Sequence, residues 1–331
     1  MMLEEWGRSL PALLRTFLEQ GHVAVRTFFV LSGFVLARSY ASCRWSRRDL
    51  LSYGVARFAR IYPVYLVSLL VISFFIVEFL ISPGISGRAK FDAITVYGFV
   101  LQGWMPDAGA GWNTPAWSLS CEFLFYLCLP ILLLWLGENR RWKLVGLVTA
   151  ALFLPIVLRR AGMPMNWKPV LHVGDFLVGI AAARIYQGIQ ESRKRWTGSG
   201  YWLYVPAMMA GIGVVVFPAM LRDVTDLGTA LRPLNGMLVL GLALGGGGIE
   251  RFLSTASSQY LGQASYSLYI LHVPLLWWFG SRGPLVFGNL GAGAVYIAGI
   301  VAISAASFEW IEKPANRTIR DWARRNWLKR V

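Results

Sequence analysis

Charged side chains are scarce in this sequence: 15% of its 331 residues are charged, against 56% that are hydrophobic. That balance excludes an ordinary pair of soluble domains, which the length alone would allow. Cysteine is scarcer still, and three residues exclude a disulfide framework. Cys121 and Cys128 lie seven apart in one apolar helix and Cys43 lies in a basic stretch, so all three read as packing residues. Three histidines, with no cysteine or carboxylate cluster at ligand spacing, predict no metal. The first twenty residues lack the charged region, apolar core and cleavage site of a signal peptide, and read as a short amphipathic lead-in. Repeats and low-complexity tracts are absent too, so residues 1–331 read as one domain.

What is present is hydrophobic length. A mean hydropathy of +0.51 and runs long enough for the roughly 30 Å hydrocarbon layer predict an all-α, polytopic transmembrane helix bundle. Fifteen Trp and thirteen Tyr suit two membrane interfaces. Spans are expected at about 23–40, 61–82, the helix after Pro115, 142–158, 169–187, 201–221, 229–249, 262–280 and 287–309, or roughly nine. The segment Phe91 to Trp104 is too short and reads as re-entrant or interfacial. The net charge of +15 does not indicate nucleic acid, because the basic residues fall in short gaps between apolar runs. About two thirds of the 32 Lys and Arg fall on one side of the predicted topology, which the positive-inside rule makes cytoplasmic. The C-terminus is then inside, and nine spans put the N-terminus outside. A further helix before Met1 would reverse the latter. The tail from Lys313 to Val331, with Ile319, Trp322 and Trp327 among its basic residues, reads as a helix on the anionic inner leaflet.

One stretch organises the rest: Pro115 to Pro130, PAWSLSCEFLFYLCLP. Its only charge is Glu122. Insertion of a charge into hydrocarbon costs roughly 2.5–3.5 kcal/mol, so such an acid faces the interior, finds a partner or holds a proton. Ser118, Glu122 and Phe125 share a helical face at i, i+4, i+7, which reads as turned toward a polar site.

Five stretches in order resemble the signatures of the membrane-bound acyltransferase 3 family of sugar and glycoconjugate O-acyltransferases. They are GHVAVRTFFVLSGFVL (Gly21 to Leu36), RFARIYPVY (Arg57 to Tyr65), WSLSCEFLFYL (Trp117 to Leu127), SYSLYILHVPL (Ser265 to Leu275) and FEWIEKP (Phe308 to Pro314). The resemblance covers nearly the whole chain. It implies another helix at the start, with an R-G-x-A-like opening and a His that acts as the acyl-transfer base. These residues do not contain it, and His22 lies too close to the FFVLSGF helix to be that residue. The second Glu of many relatives is Phe123 here.

Acyl transfer from a thioester to a hydroxyl requires a base, dipoles for the oxyanion and cations for the donor's phosphates. Glu122 and His272 are the catalytic candidates. Glu122 lies roughly 10 Å along its helix from Pro115, and His272 about eight residues from the outer end of its own, so a shared depth is expected. The plainer reading of Glu122 is a structural carboxylate; that of His272 is a hydrogen bond to a carbonyl freed by Pro274. Arg57, Arg60 and Tyr65 are the candidate contacts for acyl-CoA, against positive-inside anchoring as the plainer reading of the arginines. Trp117, Ser118, Ser120 and Tyr126 are the candidate substrate contacts. Arg26 reads as snorkelling to the interface. His172 and Asp175 read as pairing with a neighbouring helix, or with Arg159 or Arg160.

The function implied is transfer of an acyl group, most simply acetyl, from acyl-CoA to a hydroxyl of a cell-envelope polysaccharide or glycolipid, in a bacterial inner membrane. The expected partners are membrane lipid and a saccharide acceptor, without nucleic acid. Two rivals stand beside it: a proton-coupled transporter, for which no internal repeat is found, and a catalytically incomplete accessory member of the same family.

Overall fold

The computed structural model describes residues 21–105, 111–137, 141–163, 167–192, 201–216, 224–245, 248–280 and 290–327. In chain order the helices are α1 (Gly21–Ser39), α2 (Arg47–Val71), α3 (Ser73–Ile81), α4 (Gly87–Gly98), α5 (Trp117–Leu136), α6 (Arg141–Arg160), α7 (Lys168–Glu191), α8 (Tyr201–Val216), α9 (Val224–Leu244), α10 (Gly248–Leu253), α11 (Ala256–Gly280), α12 (Leu290–Ser307) and α13 (Lys313–Asn326). A 3-10 turn, Thr114–Ala116, leads into α5, and a π-helical segment, Phe308–Glu312, joins α12 to α13. No strand occurs among the described residues.

Four helices among the described residues are long and apolar enough to cross a membrane: Arg47–Val71, Thr114–Leu136, Lys168–Glu191 and Ala294–Asn326. Trp142–Leu158 and Leu231–Leu244 are shorter apolar helices. The nine expected spans exceed the four that meet this criterion. The lead-in over residues 1–20 and the last four residues of the tail lie outside the described residues.

The chain divides into two compact units. The described residues of Arg44–Ser120 and Ala256–Val331 form one, those of Gly7–Cys43 and Cys121–Thr255 the other, and the division falls inside α5 between Ser120 and Cys121.

In the first unit the second expected span is displaced. A helix begins at Arg47 rather than near residue 61, because Ser46 and Asp49 form a capping box: the Asp49 N–H donates to Ser46 Oγ at 3.2 Å and the Ser46 N–H to the Asp49 carboxylate at 2.9 Å. Arg57 and Arg60 therefore ride on α2 rather than on a connecting loop. The helix ends at Val71, and residues 73–81 form the separate α3. The short α4, capped by Ser86, extends about 18 Å at 1.5 Å per residue, too little to cross. Its inner face places Ala93, Val96 and Tyr97 in an apolar cluster with Ile72 and Trp112. Trp322 and Trp327, at the end of the amphipathic α13, line an apolar groove with Leu50, Val55 and Phe58 of α2.

In the second unit α1 and α7 approach at backbone distance. A Cβ added at Gly179 would run into the Val30 carbonyl, and one at Gly33 into the Phe176 carbonyl. Small residues on both helices permit that crossing. Phe125 of α5 stacks on Phe176 of α7 at 4.8 Å and meets Phe29 of α1 edge-on at 5.2 Å. These rings hold the Glu122 helix against α1 and α7.

Candidate functional site

In the first unit the chemistry centres on His272. Pro274 has no N–H and its ring crowds the preceding turn, so the Ile270 carbonyl loses its helical donor. Asn113 replaces it: its Nδ2 donates to Ile270 O at 3.2 Å and to Ser68 Oγ at 2.8 Å. A carbonyl only accepts, which orients the amide and leaves the buried Asn113 Oδ1 without a hydrogen-bond partner among the described residues. The carbonyl that His272 takes is a different one from that expected. Its Nδ1 lies 2.6 Å from Tyr269 O. Nδ1 must carry the proton there, so the neutral ring keeps its lone pair on Nε2, the tautomer a general base needs. Tyr269 Oη and Ser118 Oγ both donate to Pro115 O at 3.0 Å, and Tyr296 Oη donates to His272 O at 3.1 Å. The turn before α5 is thus tied to Tyr269, and α12 to His272, on the same stretch of α11.

The other expected contacts of this unit have partners within it. Ser120 Oγ donates to Val100 O at 2.6 Å and accepts from the Gly103 N–H at 2.9 Å. It holds a turn in which Val100 has a φ of 58°, a conformation that costs a β-branched residue energy. Tyr65 is fully enclosed and donates to Tyr97 O at 2.6 Å while accepting from Gln102 Nε2 at 2.7 Å. Trp117 is half-buried at the start of α5. Arg57 is half-buried, with its guanidinium 5.9 Å from the Tyr53 ring centre.

Arg60 ion-pairs with Glu312 of the π-helical segment, and Ser267 Oγ donates to the second Glu312 oxygen at 2.6 Å. Arg60, Ser267 and Glu312 come from three of the five motif stretches, and this network gives all three a common structural reason. Glu312 was not among the residues expected from sequence.

In the second unit Glu122 is buried, and Tyr126 Oη, one turn along, donates to its Oε2 at 2.5 Å. A second ionic centre lies on α1, α7 and α9. Asp175 is fully enclosed; its Oδ2 meets His172 Nδ1 at 3.1 Å and Arg26 Nη1 at 3.4 Å, and its Oδ1 accepts from Arg232 Nε at 3.2 Å. Arg26 therefore points into the unit and pairs with Asp175, rather than snorkelling. Among the described side chains Asp175 pairs with Arg26 and Arg232 rather than with Arg160, and the expected alternative Arg159 lies outside the described side chains. Arg232 carried a readable signal, a lone cation in the apolar run 229–249, the same signal that marked Glu122. Asn113, Gln102 and Asn235 carried none, since an isolated amide beside an apolar run has no local pattern. Among the described residues no group of three or more His, Cys, Asp or Glu could hold a metal.

Apolar helices that enclose a carboxylate, a histidine and ion pairs define an integral membrane protein with a polar interior. The family model described as the acyltransferase domain matches residues 2–309, and the chain belongs to that family, acyltransferase 3. It is an acyltransferase that transfers groups other than amino-acyl groups. The chain is 32% identical over 340 residues to the acyltransferase MdmB of Streptomyces mycarofaciens, covering 90% of this chain and 82% of that protein. It is 22% identical over 359 residues to the O-acetyltransferase OatA of Staphylococcus aureus, covering 91% of this chain and 53% of OatA. No solved structure matches it.

Proposed function

We propose that the protein moves an acyl group, most simply acetyl, from acyl-CoA to a hydroxyl of a cell-envelope saccharide, with His272 as the base. The observation that carries the assignment is the His272 Nδ1 contact to Tyr269 O, which leaves Nε2 free of the ring proton. In the proposed step Nε2 takes the acceptor hydroxyl's proton as that oxygen attacks the thioester carbonyl. The tetrahedral intermediate then collapses, the carbon–sulfur bond breaks, and the proton passes from His272 to the departing CoA thiolate. Asn113 Oδ1, whose amide bonds the carbonyl adjacent to that of Tyr269, would accept from a second acceptor hydroxyl.

Trp117 is assigned to the acceptor. Ser118 and Ser120 position the turn through Pro115 and Val100. Glu122, bonded by Tyr126, is the second catalytic candidate. The donor's phosphates are assigned to the basic half of α2, with Arg57 as the contact, since the Arg60 guanidinium serves Glu312. Acyl-CoA entry there requires that end of α2 and the C-terminus to be cytoplasmic, as the distribution of Lys and Arg predicts. The O-acetyltransferase name carried by OatA supports the acetyl group and the oxygen acceptor.

The test is acyl transfer in membrane vesicles, with radiolabelled acetyl-CoA and native envelope glycolipids. Label is expected in a glycolipid, reduced about 10²–10⁴-fold by His272→Ala, with Glu122→Gln also impaired. Folded protein that transfers no label to any of a range of acceptors would overturn the proposal. Full activity in His272→Ala would remove the histidine from it.

A further inference from the structure

Arg60 pairs with Glu312 just before α13, and the groove between the two helices is lined by residues 50–58 of α2 and 318–327 of α13. α13 therefore runs antiparallel to α2, back toward the start of that helix. From Arg60 to Arg47 is roughly 20 Å at 1.5 Å per residue, and from Glu312 to Trp327 roughly 22 Å, so the two runs end at one level. The groove between them holds about 650 Å³, inside the roughly 300–1,000 Å³ of small-ligand sites. Its walls are apolar, and Leu50, Phe58, Trp322 and Trp327 remain 44–50% exposed along it. Gly54 lies in the same wall, where an added Cβ would meet nothing within 4 Å.

Arginine gathers at the end where α13 finishes. Arg47 stands one turn before Leu50 and Leu51 on the groove face of α2, with Arg48 beside it. Arg324 stands one turn before Trp327, with Arg325 beside it. All four are exposed. The nearby acids are Asp49, which closes the capping box, and Asp321, 3.8 Å from Arg324, so the end stays positive. Arg47–Val71 and Ala294–Asn326 are both long and apolar enough to cross a membrane. A peptide or a sugar would leave its polar groups unmet against such walls. A hydrocarbon chain would not.

We infer that the groove holds one acyl chain of an anionic phospholipid, whose phosphate lies against Arg47, Arg48, Arg324 and Arg325. Guanidiniums bind phosphate oxygens through charge-assisted hydrogen bonds, and Trp322 and Trp327 suit headgroup depth. The chain fills the space that Gly54 leaves and joins α13 to α2, which a helix merely resting on the leaflet does not require. The inference does not depend on the acyl-transfer assignment.

The test is native mass spectrometry of the whole chain in detergent, titrated separately with phosphatidylglycerol, phosphatidylcholine of the same chains, and palmitoyl-CoA. One saturable phosphatidylglycerol adduct is expected, bound more tightly than the other two probes. Gly54→Leu keeps every charge but fills the groove, and should weaken that adduct about tenfold or more. The double variant Arg47→Gln/Arg48→Gln should bring phosphatidylglycerol down to the level of phosphatidylcholine. Phosphatidylglycerol brominated in its chains supplies a readout independent of Gly54→Leu folding: it should quench tryptophan emission less in Trp322→Phe/Trp327→Phe than in the parent. Equal binding of the two phospholipids by the parent overturns the anionic headgroup. Retention unchanged in folded Gly54→Leu, or quenching unchanged in the tryptophan variant, overturns the groove as the chain's site. Tighter binding of palmitoyl-CoA, lost in Gly54→Leu, overturns the phospholipid as occupant.

Discussion

Arg60 and Glu312 lie 252 residues apart and form an ion pair that is asymmetric in its exposure: the arginine side chain is 36% exposed and the glutamate 2%. Replacing Arg60 by Met keeps the aliphatic stem and leaves an enclosed carboxylate that still accepts from Ser267 Oγ. Removal of one partner from a buried pair costs about 3–5 kcal/mol, and the lower end applies here because the pair borders solvent. Replacing Glu312 by Leu strands the arginine instead. That guanidinium reaches water and the Gln263 carbonyl at 3.4 Å, so the loss is expected near about 2 kcal/mol, including the Ser267 bond. The double variant removes both charges together and should lie within about 1–2 kcal/mol of the parent, since neutral pairs often replace buried ion pairs with little loss. A double-mutant cycle on unfolding of the detergent-solubilised protein should therefore return a coupling of about 3–4 kcal/mol. Additive single effects, or a larger loss in Glu312→Leu than in Arg60→Met, would refute the reasoning.

Three further outcomes follow from packing and backbone. Gly179→Ala should destabilise by about 1–3 kcal/mol, because the Val30 carbonyl it meets is backbone that cannot swing aside. Gly188→Ala on the same helix meets nothing and should stabilise by up to about 1 kcal/mol, so equal melting temperatures for the two variants would contradict the crossing at Gly179. Ser120→Ala should destabilise by about 1–3 kcal/mol through its two backbone bonds, measured by chemical denaturation. Asn113→Leu should destabilise by about 1–3 kcal/mol, measured in the same way, since it abandons the Ile270 carbonyl that Pro274 leaves without a donor.

The helices were legible where a run of apolar residues is bounded by a local signal. Lys168–Glu191 and Arg141–Arg160 start and stop within a few residues of the expected spans at 169–187 and 142–158, because hydrophobic length is a one-dimensional property. The second span failed for a reason of scale. Ser46 and Asp49 begin a helix by four-residue chemistry, and a reading based on apolar length passes over it until the arginines end. Site residues divided in the same way. Glu122 and Asp175 stood out as acids in apolar surroundings, yet Arg26 was read as an interfacial residue since it sits near a helix end.

By itself the sequence determined an all-helical membrane protein of the acyltransferase 3 family, since hydrophobic length and five ordered motifs are written along the chain. Tertiary structure alone decided which ions meet. Asp175 finds Arg26 149 residues before it and Arg232 57 residues after it. Arg60 finds Glu312, and Asn113 the carbonyl that Pro274 vacates. Those choices rest on desolvation. An enclosed charge or orphan carbonyl must be met by whichever helix packs against it, and no spacing along the chain encodes which helix that is.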